Sequence, residues 1–140
     1  MPHWVISDAL ATSPRPGYSS GPEYRVAADV VDRWLEDVHA FGIRSVICLL
    51  ASDQLWLYQH SLPGGLIMRY RESGLEVAHI PTLDQQTHPF TPEQYDQAWA
   101  AFEALPKPVL VHCSAGYDRT GRIVNHILAN ILIAEGAPPE

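Results

Sequence analysis

A three-layer α/β domain, with a central and mostly parallel sheet covered by helices on both faces, is the fold this sequence predicts. Two short runs, 43–50 (IRSVICLL) and 108–112 (PVLVH), are nearly unbroken apolar stretches rich in β-branched residues, as strands buried on both faces are. Other segments place apolar residues at helical spacing. Strand and helix signals alternate along the chain, which is the order a parallel sheet requires.

In order, the stretch Ala11 to Gly21 is rich in Ser, Pro and Gly and reads as a surface loop. Val26, Ala27, Val30, Val31, Trp34, Leu35, Val38 and Phe41 then mark an amphipathic helix, with Gly42 as its stop signal before the 43–50 strand. A short helix is expected around Leu66 to Arg71, and a second strand over Leu75 to Ile80, ended by Pro81. Thr91, Pro92 and Gln94 form an N-cap, a first-turn proline and a capping-box partner, and Tyr95, Ala98, Trp99, Phe102 and Leu105 supply one apolar face behind them. The 108–112 run is the third strand. Ile123, Ile127, Leu128 and Ile131 mark a last helix closing near Gly136.

The 140 residues, 46% of them apolar, suffice for one domain with one continuous core, and neither a repeat nor an interdomain linker divides residues 1–140. The opening MPHWVISDAL lacks both a basic stretch and a long apolar run, so no secretory signal or membrane span is expected and the chain reads as cytoplasmic. Cys48 and Cys113 are the only cysteines, a usage that suits a reducing compartment and leaves Cys113 a free thiol. A net charge of -7 argues against a broad footprint for nucleic acid or an anionic membrane, so an anionic substrate needs a local site. The histidines show no metal-ligand spacing, and neither metal nor cofactor is expected. Oligomeric state leaves no mark in the sequence.

That local site is the segment His112-Cys-Ser-Ala-Gly-Tyr-Asp-Arg-Thr-Gly121, where a buried strand runs into a short loop and the loop into a helix. The loop amides of Ser114, Ala115, Gly116, Tyr117 and Asp118, with the unpaired N–H groups at the helix start, converge on one point and favour an anion there. Gly116 allows the tight curvature. Arg119 offers a planar fork able to grip two phosphate oxygens. In the same field the Cys113 thiol ionises more readily than a free one and can attack phosphorus, and Thr120 can hydrogen-bond the sulfur when it leaves. His112 is given a structural role, its ring bonding loop carbonyls.

His-Cys, five residues, Arg, Thr, with Gly three after the Cys, resembles the signature of the protein tyrosine phosphatase superfamily, and the wider pattern resembles its small dual-specificity branch over most of the chain. The resemblance implies a phosphatase-like fold and a hydrolase of phosphate monoesters working through a cysteinyl-phosphate intermediate. Family members usually carry further helices after the loop. The resemblance therefore implies either a chain continuing past Glu140 or a core completed by a partner.

Two carboxylates compete to protonate the leaving group. Asp84 lies in Pro81-Thr-Leu-Asp-Gln-Gln-Thr-His-Pro-Phe, between strand and capped helix, where the family carries its mobile acid loop. Asp118 lies in the phosphate loop itself, where myotubularin-type and bacterial lipid phosphatases carry an Asp. Asp84 is the favoured acid, because a loop over the pocket can approach the leaving oxygen without sitting permanently beside the dianion.

The variable loop positions hold no lysine to meet extra phosphates, and the chain is short for the long phosphotyrosine-recognition segments of the large tyrosine-specific enzymes. Phosphorylated proteins of mixed specificity are the leading substrates, with a phosphoinositide or another small phosphomonoester as the alternative. An arsenate reductase-like enzyme and a non-catalytic phosphate-binding module are the rivals of another class. Cys48, near the end of its strand, is a candidate redox partner for Cys113 if the two strands are neighbours.

Overall fold

The computed structural model describes residues 2–21, 23–82, 90–116 and 118–136. Five strands form one sheet: β1 (His3–Ile6), β2 (Leu10–Ser13), β3 (Ser45–Cys48), β4 (Glu76–His79) and β5 (Val109–His112), in the spatial order β1-β2-β5-β3-β4. β2, β5, β3 and β4 run parallel, and β1 joins the edge antiparallel to β2. The helices are α1 (Ala28–Ala40), α2 (Ser52–Leu55), α3 (Leu66–Glu72), α4 (Pro92–Ala104) and α5 (Asp118–Ala134), with a short 3-10 turn at Trp56–Tyr58 after α2.

Alternation along the strands divides the apolar residues between the faces of the sheet. Val46, Cys48 and Leu110 pack with Val31, Leu35 and Val38 of α1 and Leu66 and Tyr70 of α3. Ile47, Val109 and Val111 pack on the opposite side with Ala98 and Phe102 of α4 and Ile123, Val124 and Ile127 of α5. The core is thus two clusters separated by the sheet, where a single continuous core was expected. Each fully buried Leu or Ile contributes about 1.5–3 kcal/mol to either side.

Local signals explain the helix ends. Gly42 sits at φ +85° and stops the chain from continuing α1. At α4 the capping box is complete: Gln94 N donates to Thr91 Oγ1 at 3.2 Å and Thr91 N donates to Gln94 Oε1 at 2.9 Å.

The expected loop over Ala11 to Gly21 is corrected at its start. Leu10–Ser13 is a strand with Leu10 and Ala11 fully buried, paired residue for residue with β5 from Leu10↔Val109 to Ser13↔His112. Four residues before a Pro-rich turn carry too little periodicity to be read as a strand. They become one because a partner far along the chain satisfies their backbone groups.

Candidate active site

The strand order brings four loops to one edge of the sheet. β5 lies between β2 and β3, and β4 flanks β3, so the chain leaves all four parallel strands at the same C-terminal edge. A cavity of about 390 Å³ opens there. Its lining comes from the segment after β2 (Tyr18, Glu23), from the β3–α2 region (Ala51, Asp53, Gln54) and from the loop after β5 with the start of α5 (Cys113, Ser114, Ala115, Asp118, Arg119).

Cys113 follows β5 directly and is 3% exposed. Gly116 takes φ +86°, and a Cβ there would lie 3.0 Å from Pro14 N and Ser13 O. Curvature and close approach to the β2 end both require glycine at this position. α5 begins at Asp118 and directs its unpaired N–H groups and dipole toward the loop. Tyr117, assigned to the phosphate loop, and Asp84, assigned as the acid, lie outside the described residues. Among the carboxylates lining the cavity, Asp118 is the one the sequence singled out.

Arg119 is nearly buried, and its anchoring is one-sided. Nη1 donates to Gln54 Oε1 at 3.0 Å and to the Thr82 carbonyl at 2.8 Å. These contacts fix the guanidinium plane from the β3 and β4 sides and, among the described residues, leave the Nε and Nη2 edge as the pair of parallel donors that suits two phosphate oxygens. Thr82 is itself pinned, its Oγ1 donating to the Leu49 carbonyl at 2.8 Å and its N–H to the same oxygen at 3.2 Å. Thr120 Oγ1 is buried with no hydrogen-bond partner among the described residues, which leaves it open to a group arriving at the loop.

His112 is fully buried at the strand end. Its Nδ1 donates to the Cys113 carbonyl at 2.9 Å, so Nε2 accepts, and the Tyr70 hydroxyl donates to it at 2.9 Å. Burial pushes the imidazole pKa down to about 4, which keeps the ring neutral and this tautomer fixed. Trp34 stacks on Tyr70 and meets His112 edge-on, while its Nε1 donates to the Pro14 carbonyl at 3.1 Å.

Arg15 is the prominent residue that sequence reasoning missed. Only 4% exposed, it donates from Nε to Ser114 Oγ at 3.0 Å and from Nη1 to the Tyr58 hydroxyl at 3.1 Å. Its backbone N–H reaches the Ser114 carbonyl at 2.9 Å, and Glu23 lies 3.9 Å from Nη2. The segment after β2 is therefore stapled to the phosphate loop. An Arg between two prolines carries no signal of that role in one sequence. Gln54 and Thr82 were equally hidden, because a lone amide and a carbonyl acquire meaning only once Arg119 is placed.

Cys48 is adjacent to the site and turned away from it. β3 and β5 are neighbours as expected, and Cys48 pairs in register with His112. It packs in the α1-side cluster, whereas Cys113 packs in the α4 and α5 cluster on the other side. Burial pushes the Cys48 thiol up to about 12.

A family model described as the tyrosine phosphatase family matches residues 67–134, from α3 to the end of α5. Among solved structures, a mutant form of Tk-PTP is 22% identical, with 96% of this chain and 73% of that one covered at a TM-score of 0.58. A candidate phosphatase of the DUF442 group from Shewanella putrefaciens CN-32 is 19% identical, covered to 99% and 74%, with a TM-score of 0.64. A candidate phosphatase from Neisseria meningitidis Z2491 is 14% identical, covered to 84% and 69%, with a TM-score of 0.55. Likeness at these identities is likeness of fold. No curated protein matches the sequence.

Proposed function

We propose that the chain is a member of the protein tyrosine phosphatase-like superfamily, whose family model matches residues 67–134, and that it hydrolyses phosphate monoesters through a cysteinyl-phosphate intermediate on Cys113. The observation that carries this reading is the anchoring of Arg119 through one nitrogen, beside a cavity floored by Cys113 and the loop before α5. That arrangement supports the reading because it suits a tetrahedral dianion bound between the Arg119 fork and the Cys113 sulfur.

In the first step the Cys113 sulfur attacks phosphorus, the S–P bond forms, and the P–O bond to the alcohol or phenol breaks. The departing oxygen takes a proton from a carboxylic acid. We assign that acid to Asp84, with Asp118 at the cavity wall as the competing donor. In the second step the resulting carboxylate takes a proton from water, the water oxygen attacks phosphorus, and the thiolate leaves with inorganic phosphate released. The Thr120 hydroxyl, unpartnered among the described residues, is suited to donate to that sulfur. Arg119 and the loop amides hold the equatorial oxygens throughout. The substrates proposed are phosphorylated proteins, with tyrosine and serine esters both accepted.

Turnover of p-nitrophenyl phosphate tests the chemistry. Wild type releases nitrophenol, and Cys113→Ser releases none while still binding vanadate. Wild-type turnover by Cys113→Ser would overturn the covalent mechanism.

A further inference from the structure

We propose that the substrate of this cavity is a phosphopeptide with lysine or arginine beside the phosphorylated residue, and that Tyr18, Glu23, Tyr24, Asp53 and Trp56 form the docking face for those cations. This rests on the phosphatase reading above and narrows its substrate.

Two sets of observations on these residues carry it. The first is charge. Among the described residues the cavity wall holds three carboxylates, Glu23, Asp53 and Asp118, against one lining cation, Arg119. With the Arg119 fork given to phosphate, the rest of the described wall presents negative charge to whatever flanks the ester. Glu23 is partly offset by buried Arg15 at 3.9 Å, which leaves Asp53, exposed on α2, as the freest carboxylate outside the catalytic loop. An anionic neighbour on the substrate is repelled and a cationic one attracted.

The second observation is aromatic exposure. Seven large apolar side chains are exposed among the described residues, and three of them, Tyr18 (37%), Tyr24 (58%) and Trp56 (54%), belong to this face. Tyr18 lines the cavity, Tyr24 follows Glu23, and Trp56 lies two residues after Gln54. Aromatic faces in the open attract ammonium and guanidinium groups. Trp56 already receives one from Arg25 at 5.5 Å and Tyr18 one from Arg15 at 5.8 Å, so these rings do take cations and Tyr24 is the face left open among the described residues. Aromatic faces and carboxylates thus select the same chemistry, on a rim extending beyond the cavity. A polypeptide spans such a rim, whereas a small phosphate ester ends inside it.

The test compares kcat/KM for two phosphotyrosine peptides that differ only in flanking residues, two lysines against two glutamates. We expect the lysine peptide to be preferred by about tenfold, the yield of one or two exposed pairs together with an aromatic contact. The ratio should shrink several-fold in 0.5 M salt and in Asp53→Asn, and should approach unity in Asp53→Lys. O-phosphoethanolamine and inositol hexakisphosphate are run beside the peptides. Equal kcat/KM for the two peptides, an Asp53→Lys ratio unchanged from wild type, or a small ester outrunning both peptides would overturn the proposal. Absence of p-nitrophenyl phosphate turnover would instead fail the phosphatase reading. Binding of the same peptide pair to Cys113→Ser by calorimetry then reads the preference without catalysis, and equal affinities would again overturn it.

Discussion

The Tyr70 hydroxyl, on α3, donates to His112 Nε2 at 2.9 Å, and this bond ties a helix on one face of the sheet to the residue that precedes the nucleophile. Because Nδ1 of the same ring serves the Cys113 carbonyl, the imidazole transmits the position of α3 to the root of the phosphate loop. Tyr70→Phe removes the donor and strands a buried acceptor, which costs about 1–3 kcal/mol. Chemical denaturation should show that loss. Aryl phosphate turnover by the folded variant should fall modestly, and Tyr70→Phe stability equal to wild type would contradict the role given to this bond.

The same ring makes stability depend on acid. Its pKa is about 4 folded against 6.5 unfolded, so between those values the unfolded chain binds the extra proton. Stability contributed by neutral His112 is complete above pH 6.5 and is lost as pH falls toward 4, by on the order of 3 kcal/mol in total. On the alkaline side burial raises Tyr58 and Cys48 to about 12, so above pH 9–10 the unfolded chain releases protons that the folded one retains, and stability falls again. Denaturant midpoints measured across pH should plateau between these limbs. In Tyr70→Phe the acid limb should remain, since burial of His112 is its main cause.

Gln54 acts on the reaction through Arg119. Removing its Oε1 in Gln54→Leu leaves, among the described residues, the Thr82 carbonyl alone to orient the fork. An expected loss of about tenfold in kcat/KM corresponds to weakening one charge-assisted hydrogen bond. Gln54→Glu retains an acceptor at that place and should recover most of the phosphate affinity. An unchanged phosphate inhibition constant in Gln54→Leu would rule out this positioning.

The acid assignment is decided by ranking. Asp84→Asn should lower turnover by about a hundredfold or more and flatten the alkaline limb of the rate profile, with Asp118→Asn doing less. The reverse ranking would move the proton donor to the first residue of α5 and favour small phosphate esters or lipids as substrates.

Redox pairing of Cys48 with Cys113 needs the two thiols on one side of the sheet, and they pack on opposite sides. After mild peroxide and then a thiol reductant, recovery of activity in Cys48→Ser should equal that of wild type. A Cys48–Cys113 peptide by mass spectrometry, with poorer recovery in the variant, would show that the loop turns over on oxidation.

Local chemistry made much of this protein legible from its sequence. The β-branched runs at β3 and β5, the capping box of Thr91 and Gln94, the stop at Gly42, and the order His112, Cys113, Gly116, Arg119, Thr120 each depend on residues a few positions apart. Propensity, periodicity and loop geometry act over that range. The tertiary structure alone decided that Leu10–Ser13 is a strand, that Arg15 staples to Ser114, that Gln54 and Thr82 hold Arg119, and that Cys48 and Cys113 lie on opposite faces. Each of these joins residues tens of positions apart across neighbouring strands. Such contacts arise from backbone pairing and side-chain direction in the assembled sheet, and one sequence carries no local trace of either.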